Sequence, residues 1–185
     1  MVILDRDNID IKGKKVVILG LALSGVAAAS LAVHNKAHVF VSDQNDSQDL
    51  IDSLDELKKL NINGELGNHS DQIYEADLWI ISPGIPQDSE LIVKAKTRNI
   101  PIVSEIEFAS WYTEAPIIAI TGSNGKTTTA HILEEMVQTD EIHGLLAGNV
   151  GIPFSRMVLN DLNNPNTKRV WVLEISSFQM EFIIH

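Results

Sequence analysis

The residues best placed to do chemistry are Thr121-Gly122-Ser123-Asn124-Gly125-Lys126-Thr127-Thr128. Glycines let successive backbone N–H groups turn toward an anion with no Cβ in the way. A helix opening at Lys126 adds unpaired N–H donors and the positive end of its dipole. The Lys126 ammonium can reach the outer phosphates of a nucleotide, and the Thr127 hydroxyl can hold Mg²⁺. Gly122, Ser123, Asn124, Gly125, Lys126, Thr127 and Thr128 are therefore the candidate phosphate-binding residues, with Lys126 the candidate catalytic cation. The alternative is a glycine turn with a solvated lysine. The loop is a short variant: Ile120 stands where a glycine usually precedes the lysine by six positions, and Gly122 precedes it by four. The other residue of chemical interest is Glu174, the one acid in the apolar run 170–175. A carboxylate there is costly to desolvate unless charge or hydrogen bonds compensate. A magnesium ion facing the phosphate loop would compensate, and a capped strand-end glutamate is the alternative. Thr127 and Glu174 are the candidate metal ligands.

These residues need parallel strands to bring them to one edge. Ile117–Ile120 reads as the buried strand that delivers the loop. Residues 127–138 read as the following helix, burying Ile132, Leu133, Met136 and Val137. Residues 145–147 read as a short strand entering a second glycine-rich loop, 148–153. Residues 154–159 read as a short helix, 161–168 as a solvated connection and 170–175 as a strand.

Upstream, Lys15–Leu19 is β-branched and apolar, the pattern of a buried parallel strand. It ends at Gly20-Leu21-Ala22-Leu23-Ser24-Gly25, before a helix with Val26, Ala29, Leu31, Ala32 and Val33 on its apolar face. Residues 38–42 form the next strand and end at Asp43, completing the opening βαβ of a dinucleotide-type fold. The G-x-G-x-x-G fingerprint is incomplete, because Ala22 replaces its central glycine and keeps phosphates farther from the turn. Asp43 is either the acid that meets a ribose hydroxyl or a turn residue. Leu50, Ile51, Leu54, Leu57 and Leu60 give residues 49–60 a helical core stripe. Residues 77–82 form a strand that runs into Ser82-Pro83-Gly84-Ile85-Pro86, at the edge where open α/β sheets bind ligands. A helix at 90–98, a strand at 100–103 and a helix at 105–112 follow. Glu105 and Glu107 are read as dipole-favourable surface residues. Thr113-Glu114-Ala115-Pro116 reads as a boundary. The α/β chain is then a Rossmann-like domain, 1–114, followed by the start of a P-loop-type parallel-sheet ATPase domain, 115–185.

Composition narrows the classes. Of 185 residues, 44% are hydrophobic, enough for a packed core. A net charge of −11 argues against a nucleic-acid surface but not against phosphate ligands, which Mg²⁺ and one lysine can neutralise locally. With no cysteine there is no disulfide and no thiol nucleophile. Residues 1–15 lack a signal-peptide core, and no apolar run approaches the roughly 20 residues of a membrane span. A soluble, cytoplasmic chain is expected. His34, His38, His69, His131, His143 and His185 show no metal-pair spacing and read as surface or packing residues.

Together these residues resemble a Mur ligase. Thr121-Gly122-Ser123-Asn124-Gly125-Lys126-Thr127 is similar to that superfamily's ATP loop. Within the family the chain most resembles the branch that joins D-glutamate to UDP-N-acetylmuramoyl-L-alanine. The supporting stretches are 20–25, 82–85, 148–153 and Leu173-Glu174-Ile175-Ser176-Ser177-Phe178-Gln179-Met180. The resemblance covers about 12–182. It implies a monomeric ATP- and Mg²⁺-dependent amide ligase of peptidoglycan synthesis. ATP phosphorylates the substrate carboxylate, and the D-glutamate amine displaces phosphate from the acyl phosphate. Lys126 and Thr127 would hold ATP and metal, with Glu174 a magnesium ligand. Asn149, Ser176 and Gln179 would face the UDP-sugar peptide. Leu23, Ser24, Asp43 and Gly84 would line its uridine-diphosphate end, so the first domain would hold UDP and not NAD.

Two features depart from the family pattern. Gln44 and Asn45 stand where the family often has a small hydroxyl residue and an arginine, so a charge-assisted phosphate contact is lost there. Family members also run to roughly three domains. A fragment or truncated product, inactive alone, is therefore expected, with an uncovered sheet edge and a second segment less stable than a self-contained 12–112. Another Mur-type or folylpolyglutamate-synthase-like ligase, or a non-catalytic nucleotide-binding remnant, is the alternative.

Overall fold

The apolar runs become parallel strands and the striped segments become helices in a computed structural model describing residues 9–86, 88–149, 151–164 and 168–183. Residues 1–8, Val150 of the second glycine loop, 165–167 of the connection and His185 lie outside the described residues. The first sheet contains β1 (Lys15–Leu19), β2 (His38–Asp43), β3 (Asn63–Leu66), β4 (Leu78–Ile81) and β5 (Ile102–Ser104). Its order is β3-β2-β1-β4-β5, all parallel. The order reverses between β1 and β4, which opens a crevice at their carboxyl ends. Helices α1 (Leu23–His34), α2 (Gln48–Lys58), α3 (Glu90–Thr97) and α4 (Glu105–Ser110) connect these strands or follow them. A second parallel sheet has the order β6-β8-β7, from β6 (Ile117–Ile120), β7 (Ile142–Gly148) and β8 (Lys168–Glu174). It carries α5 (Lys126–Val137), α6 (Phe154–Asn163) and the single turn α7 (Ser177–Met180). Among the described residues no helix is long and apolar enough to cross a membrane.

β3 has no counterpart in the sequence reading. Asn63-Gly64-Glu65-Leu66 offers neither an apolar run nor alternation. The strand exists because Gly64 lets it lie against β2: a Cβ there would come within 2.3 Å of Val41 Cγ2.

Several expectations are corrected by packing. Leu54 and Leu57 of α2 are buried, whereas Ile51 and Leu60 are exposed, so the stripe is narrower than read. On α5 only Ala130 is fully buried; Ile132 is 52% and Met136 72% exposed, and Leu133 and Val137 are half-buried. β6 is likewise only half-buried, because it pairs on one side, with β8. Asp161 is not a solvated connector: α6 extends through it, and its carboxylate pairs with a mostly buried Arg169.

The largest correction concerns Glu105 and Glu107, which are 3% and 1% exposed. The local logic holds, since Ser104 caps α4 through Glu107 N and both acids lie in its first turn. Tertiary packing then buries them. The Glu105 carboxylate accepts the backbone N–H of Ser155 in the first turn of α6, a helix with no side-chain cap of its own. Glu107 accepts Trp111 Nε1–H at 2.8 Å.

The same contact revises the picture of a self-contained 12–112. α1 packs on α6, and one apolar cluster joins Ala28, Leu31 and Phe108 to Phe154, Val158 and Trp171. Trp171 Nε1–H donates to Thr113 Oγ1 at 2.9 Å. Phe182 packs into the cluster around Trp79 and Ile81, and its carbonyl accepts Ser104 N–H at 3.0 Å. The two sheets share a core.

Burial pushes the Glu105 carboxyl above the ordinary value of 4.5, opposed in part by the Ser155 backbone N–H. The folded state then binds this proton more tightly than the unfolded chain. The contribution favours folding below pH 4.5 and is lost as pH rises from there through the raised folded value. Glu105→Gln keeps an acceptor for Ser155 and removes the titration. In urea melts the wild type is expected to lose stability relative to the variant as pH rises from about 4.5 toward neutrality. A pH-independent difference contradicts this account.

Candidate active site

Three strand ends meet at Glu174. The register sets Ile120 of β6 and Gly148 of β7 on either side of it. Gly148 has φ +104, and a Cβ there would lie 2.5 Å from the Glu174 carbonyl oxygen, so the approach requires glycine. Asn149 N–H then donates to that carbonyl at 2.8 Å, and its Nδ2 reaches Glu174 Oε1 at 3.4 Å. From the other flank Thr127 Oγ1 donates to Glu174 Oε2 at 2.7 Å. Glu174 is 3% exposed, so these donors compensate a largely desolvated carboxylate.

Between β6 and α5, residues 121–125 are exposed. Gly122 has φ +144, and Gly125, at φ +77, is the N-cap of α5 and provides no side-chain cap. The first N–H groups of a twelve-residue helix are thus open to a ligand. Lys126 folds back over the loop, its Nζ donating to Gly122 O at 2.9 Å. Ser123, Asn124 and Thr128 lie exposed around the same turn. This arrangement fits a nucleotide's phosphates. Among the described residues no group of three or more His, Asp or Glu forms a metal cage. Mg²⁺ at phosphate sites commonly takes only one or two protein oxygens beside phosphate and water, so Thr127 with Glu174 fits it as well.

Ser176 and Gln179 follow β8 directly. Ser176 Oγ accepts Gln179 N–H at 3.3 Å and Gln179 Oε1 accepts Ser176 N–H at 2.8 Å, a capping box that starts α7. Gln179 is buried and shares a small crevice with Ser82, Gly84 and Ser104 of the first sheet.

The remaining candidates lie on the rim of the first sheet. Gly20 has φ +91, and a Cβ there would lie 2.7 Å from Ser82 Cβ; a Cβ on Gly25 would lie 1.9 Å from Gly20 O. These glycines allow the β1–α1 turn to close against the β4 loop, where Ser24 Oγ and Ser82 Oγ are 3.3 Å apart. The α1 N-terminus at Ala22 has no side-chain cap, and Leu23 stands exposed beside it. Asp43 accepts Leu21 N–H at 2.7 Å through Oδ2 and Asn45 N–H at 2.9 Å through Oδ1. It therefore braces two turns of the rim. Gly84 is exposed at φ +107 with open space around it. Leu23, Ser24, Asp43 and Gly84 share the carboxyl edge of one sheet; Asn149 and Glu174 share that of the other. A cluster of Ser42, Glu65 and His69 on the first rim escaped the sequence reading. Its members come from three separate segments, one of them the unread β3.

Comparisons with known proteins agree with this architecture. Residues 14–104 match the family model "Mur ligase MurD-like, N-terminal domain", and 120–182 match "Mur ligase middle domain". A UDP-N-acetylmuramoylalanine--D-glutamate ligase from Christiangramia forsetii is 42% identical over 92% of this chain and 37% of that protein. The ligase of the same name from Pelodictyon phaeoclathratiforme is 40% identical over 93% of this chain, again 37% of that protein. The chain thus spans well under half the length of these curated relatives. Among solved structures, a murein peptide ligase from Psychrobacter arcticus superposes with TM-score 0.55 at 19% identity, covering 90% of this chain and 38% of that one. At that identity the superposition speaks for the fold alone. The two family models together span most of the sequence, and on that ground the chain belongs to the Mur ligase family.

Proposed function

We propose that this chain is the nucleotide-handling part of an ATP-dependent ligase that joins D-glutamate to UDP-N-acetylmuramoyl-L-alanine in peptidoglycan synthesis. Residues 1–114 form its UDP-binding unit and 115–185 begin its ATP-binding unit. The observation that carries the reading is the Thr127–Glu174 pair beside the open start of α5. The names of the relatives support the substrate assignment.

Bound Mg²⁺–ATP would supply the phosphoryl group that turns the substrate carboxylate into an acyl phosphate open to the amine. The residues of this chain bind and orient. The 122–125 backbone and the first N–H groups of α5 hold the phosphates. Lys126 leaves Gly122 O to meet the outer phosphate and, as the catalytic residue, offsets charge that grows as the phosphoryl group moves. Thr127 and Glu174 hold the metal. Asn149, tied to Glu174, would face the sugar peptide together with Ser176 and Gln179, the last of which shares a crevice with Gly84. Leu23, Ser24, Asp43 and Gly84 take the uridine diphosphate. Ala22 in place of the fingerprint glycine disfavours NAD there.

Calorimetric titration of the chain tests both halves of the reading. UDP is expected to bind and NAD to bind more weakly; equal or tighter NAD binding contradicts the assignment of the first sheet. Lys126→Ala is expected to weaken Mg²⁺–ATP binding by about 1.5–3 kcal/mol, tenfold or more, the scale of a charged hydrogen bond. UDP binding should be unchanged. An equal loss of both ligands points to a folding defect, and no loss of ATP binding removes Lys126 from its role.

A further inference from the structure

The carboxyl ends of β2 and β3 carry a polar cluster that the ATP chemistry does not use. Ser42 is fully buried and lies opposite Glu65 in the β2–β3 register. Its Oγ is 2.8 Å from Glu65 Oε1 and 2.7 Å from His69 Nδ1. Glu65 Oε1 also accepts Ser70 N–H at 2.8 Å. Burial works against the charged form of Glu65. Hydrogen bonds from Ser70 and Ser42, with His69 nearby, outweigh burial and hold the carboxyl below its ordinary range. Glu65 is thus a carboxylate at neutral pH and can only accept. The single hydroxyl proton of Ser42 goes to it. Toward His69 the Ser42 oxygen can then only accept, so Nδ1 carries the hydrogen. In the neutral ring Nε2 is left as a bare acceptor. It has no partner among the described residues, and the ring is half-buried.

The cluster is part of the rim already described. Gly67 N–H donates to Asn45 O at 3.2 Å, tying the turn that carries His69 to the turn that follows Asp43. In folds of this type phosphates lie over the β1 turn and a ribose at the tip of β2. His69 follows β3, the strand on the far side of β2 from β1, so a base carried past the tip of β2 would meet it. Gln44 and Asn45 bring no charge to that end.

We propose that His69 Nε2 reads the base of the bound nucleotide by accepting the imide N–H of uracil. The inference rests on the nucleotide reading of the first sheet and adds a specificity residue to it. Ser42 and Glu65 are positioning residues: they fix the tautomer and hold the ring in place, as outer partners do for ligating histidines. Cytosine presents a lone pair at the ring position where uracil presents its N–H. Two acceptors would then face each other, which disfavours CDP by roughly tenfold or more.

The test is calorimetric titration of the 185-residue chain with UDP and with CDP. His69→Asn keeps an amide N–H for Ser42 and removes the Nε2 position; a thermal melt reports its folding. The wild type is expected to prefer UDP by roughly tenfold or more, and in His69→Asn the ratio should fall toward one. An unchanged ratio in the folded variant overturns the role of His69 and leaves the nucleotide reading standing. A wild type that does not bind UDP overturns that reading, and this inference with it. Should His69→Asn fail to melt cooperatively, Ser42→Ala replaces it. That variant keeps the imidazole but unties it, and an unchanged UDP-to-CDP ratio there overturns the proposal.

Discussion

A carboxylate buried where three strands end sets the terms for the second half of this molecule. Glu174 can stay charged only if donors surround it, because an unpaired buried charge costs several kcal/mol. Thr127 and Asn149 supply them, from the helix after β6 and the loop after β7. This works because β8 is the middle strand, with Ile120 and Gly148 in register on either side. It also requires a glycine at 148, since any Cβ would strike the Glu174 carbonyl. Loop, helix start and carboxylate are thereby fixed within hydrogen-bonding distance before any ligand arrives. Such pre-organisation is the main protein contribution to phosphoryl chemistry.

The second constraint is the seam between the sheets. α6 leaves the loop that carries Asn149, and its open N-terminus is capped by Glu105 from α4. Its apolar face packs on α1, whose own N-terminus lies at the first rim. Phe182 and the Trp171–Thr113 hydrogen bond tie the seam at two further points. The first rim and the 121–125 loop are therefore held to one another by a shared core and not only by the 113–116 connection.

Much of this was legible in the sequence, and the failures have physical reasons. β1 and the β6–loop–α5 unit could be read because β-branched runs, glycines and Lys126-Thr127 all point to one local structure. Glu174 stood out because a lone acid in an apolar strand needs compensation. β3 could not be read: Gly64 contributes by what it lacks, and its contact with Val41 is non-local. Glu105 was misread because helix-terminus electrostatics are local, while its carboxylate meets an element some fifty residues later. The face of α5 was misread because periodicity reports which side a helix can bury. Among the described residues nothing covers Ile132 or Met136. The Ser42–Glu65–His69 cluster required the parallel register of two strands before its members became neighbours.

The central claim is that Glu174 holds a metal for ATP and does not merely end a strand. The most direct measurement is ATP affinity with and without Mg²⁺, for the wild type and Glu174→Gln. The amide keeps the shape and the Thr127 contact while removing the charge. Wild type is expected to bind ATP more tightly with Mg²⁺, and the variant to lose most of that gain while melting like the wild type. The same magnesium-dependent gain in both proteins would contradict the claim.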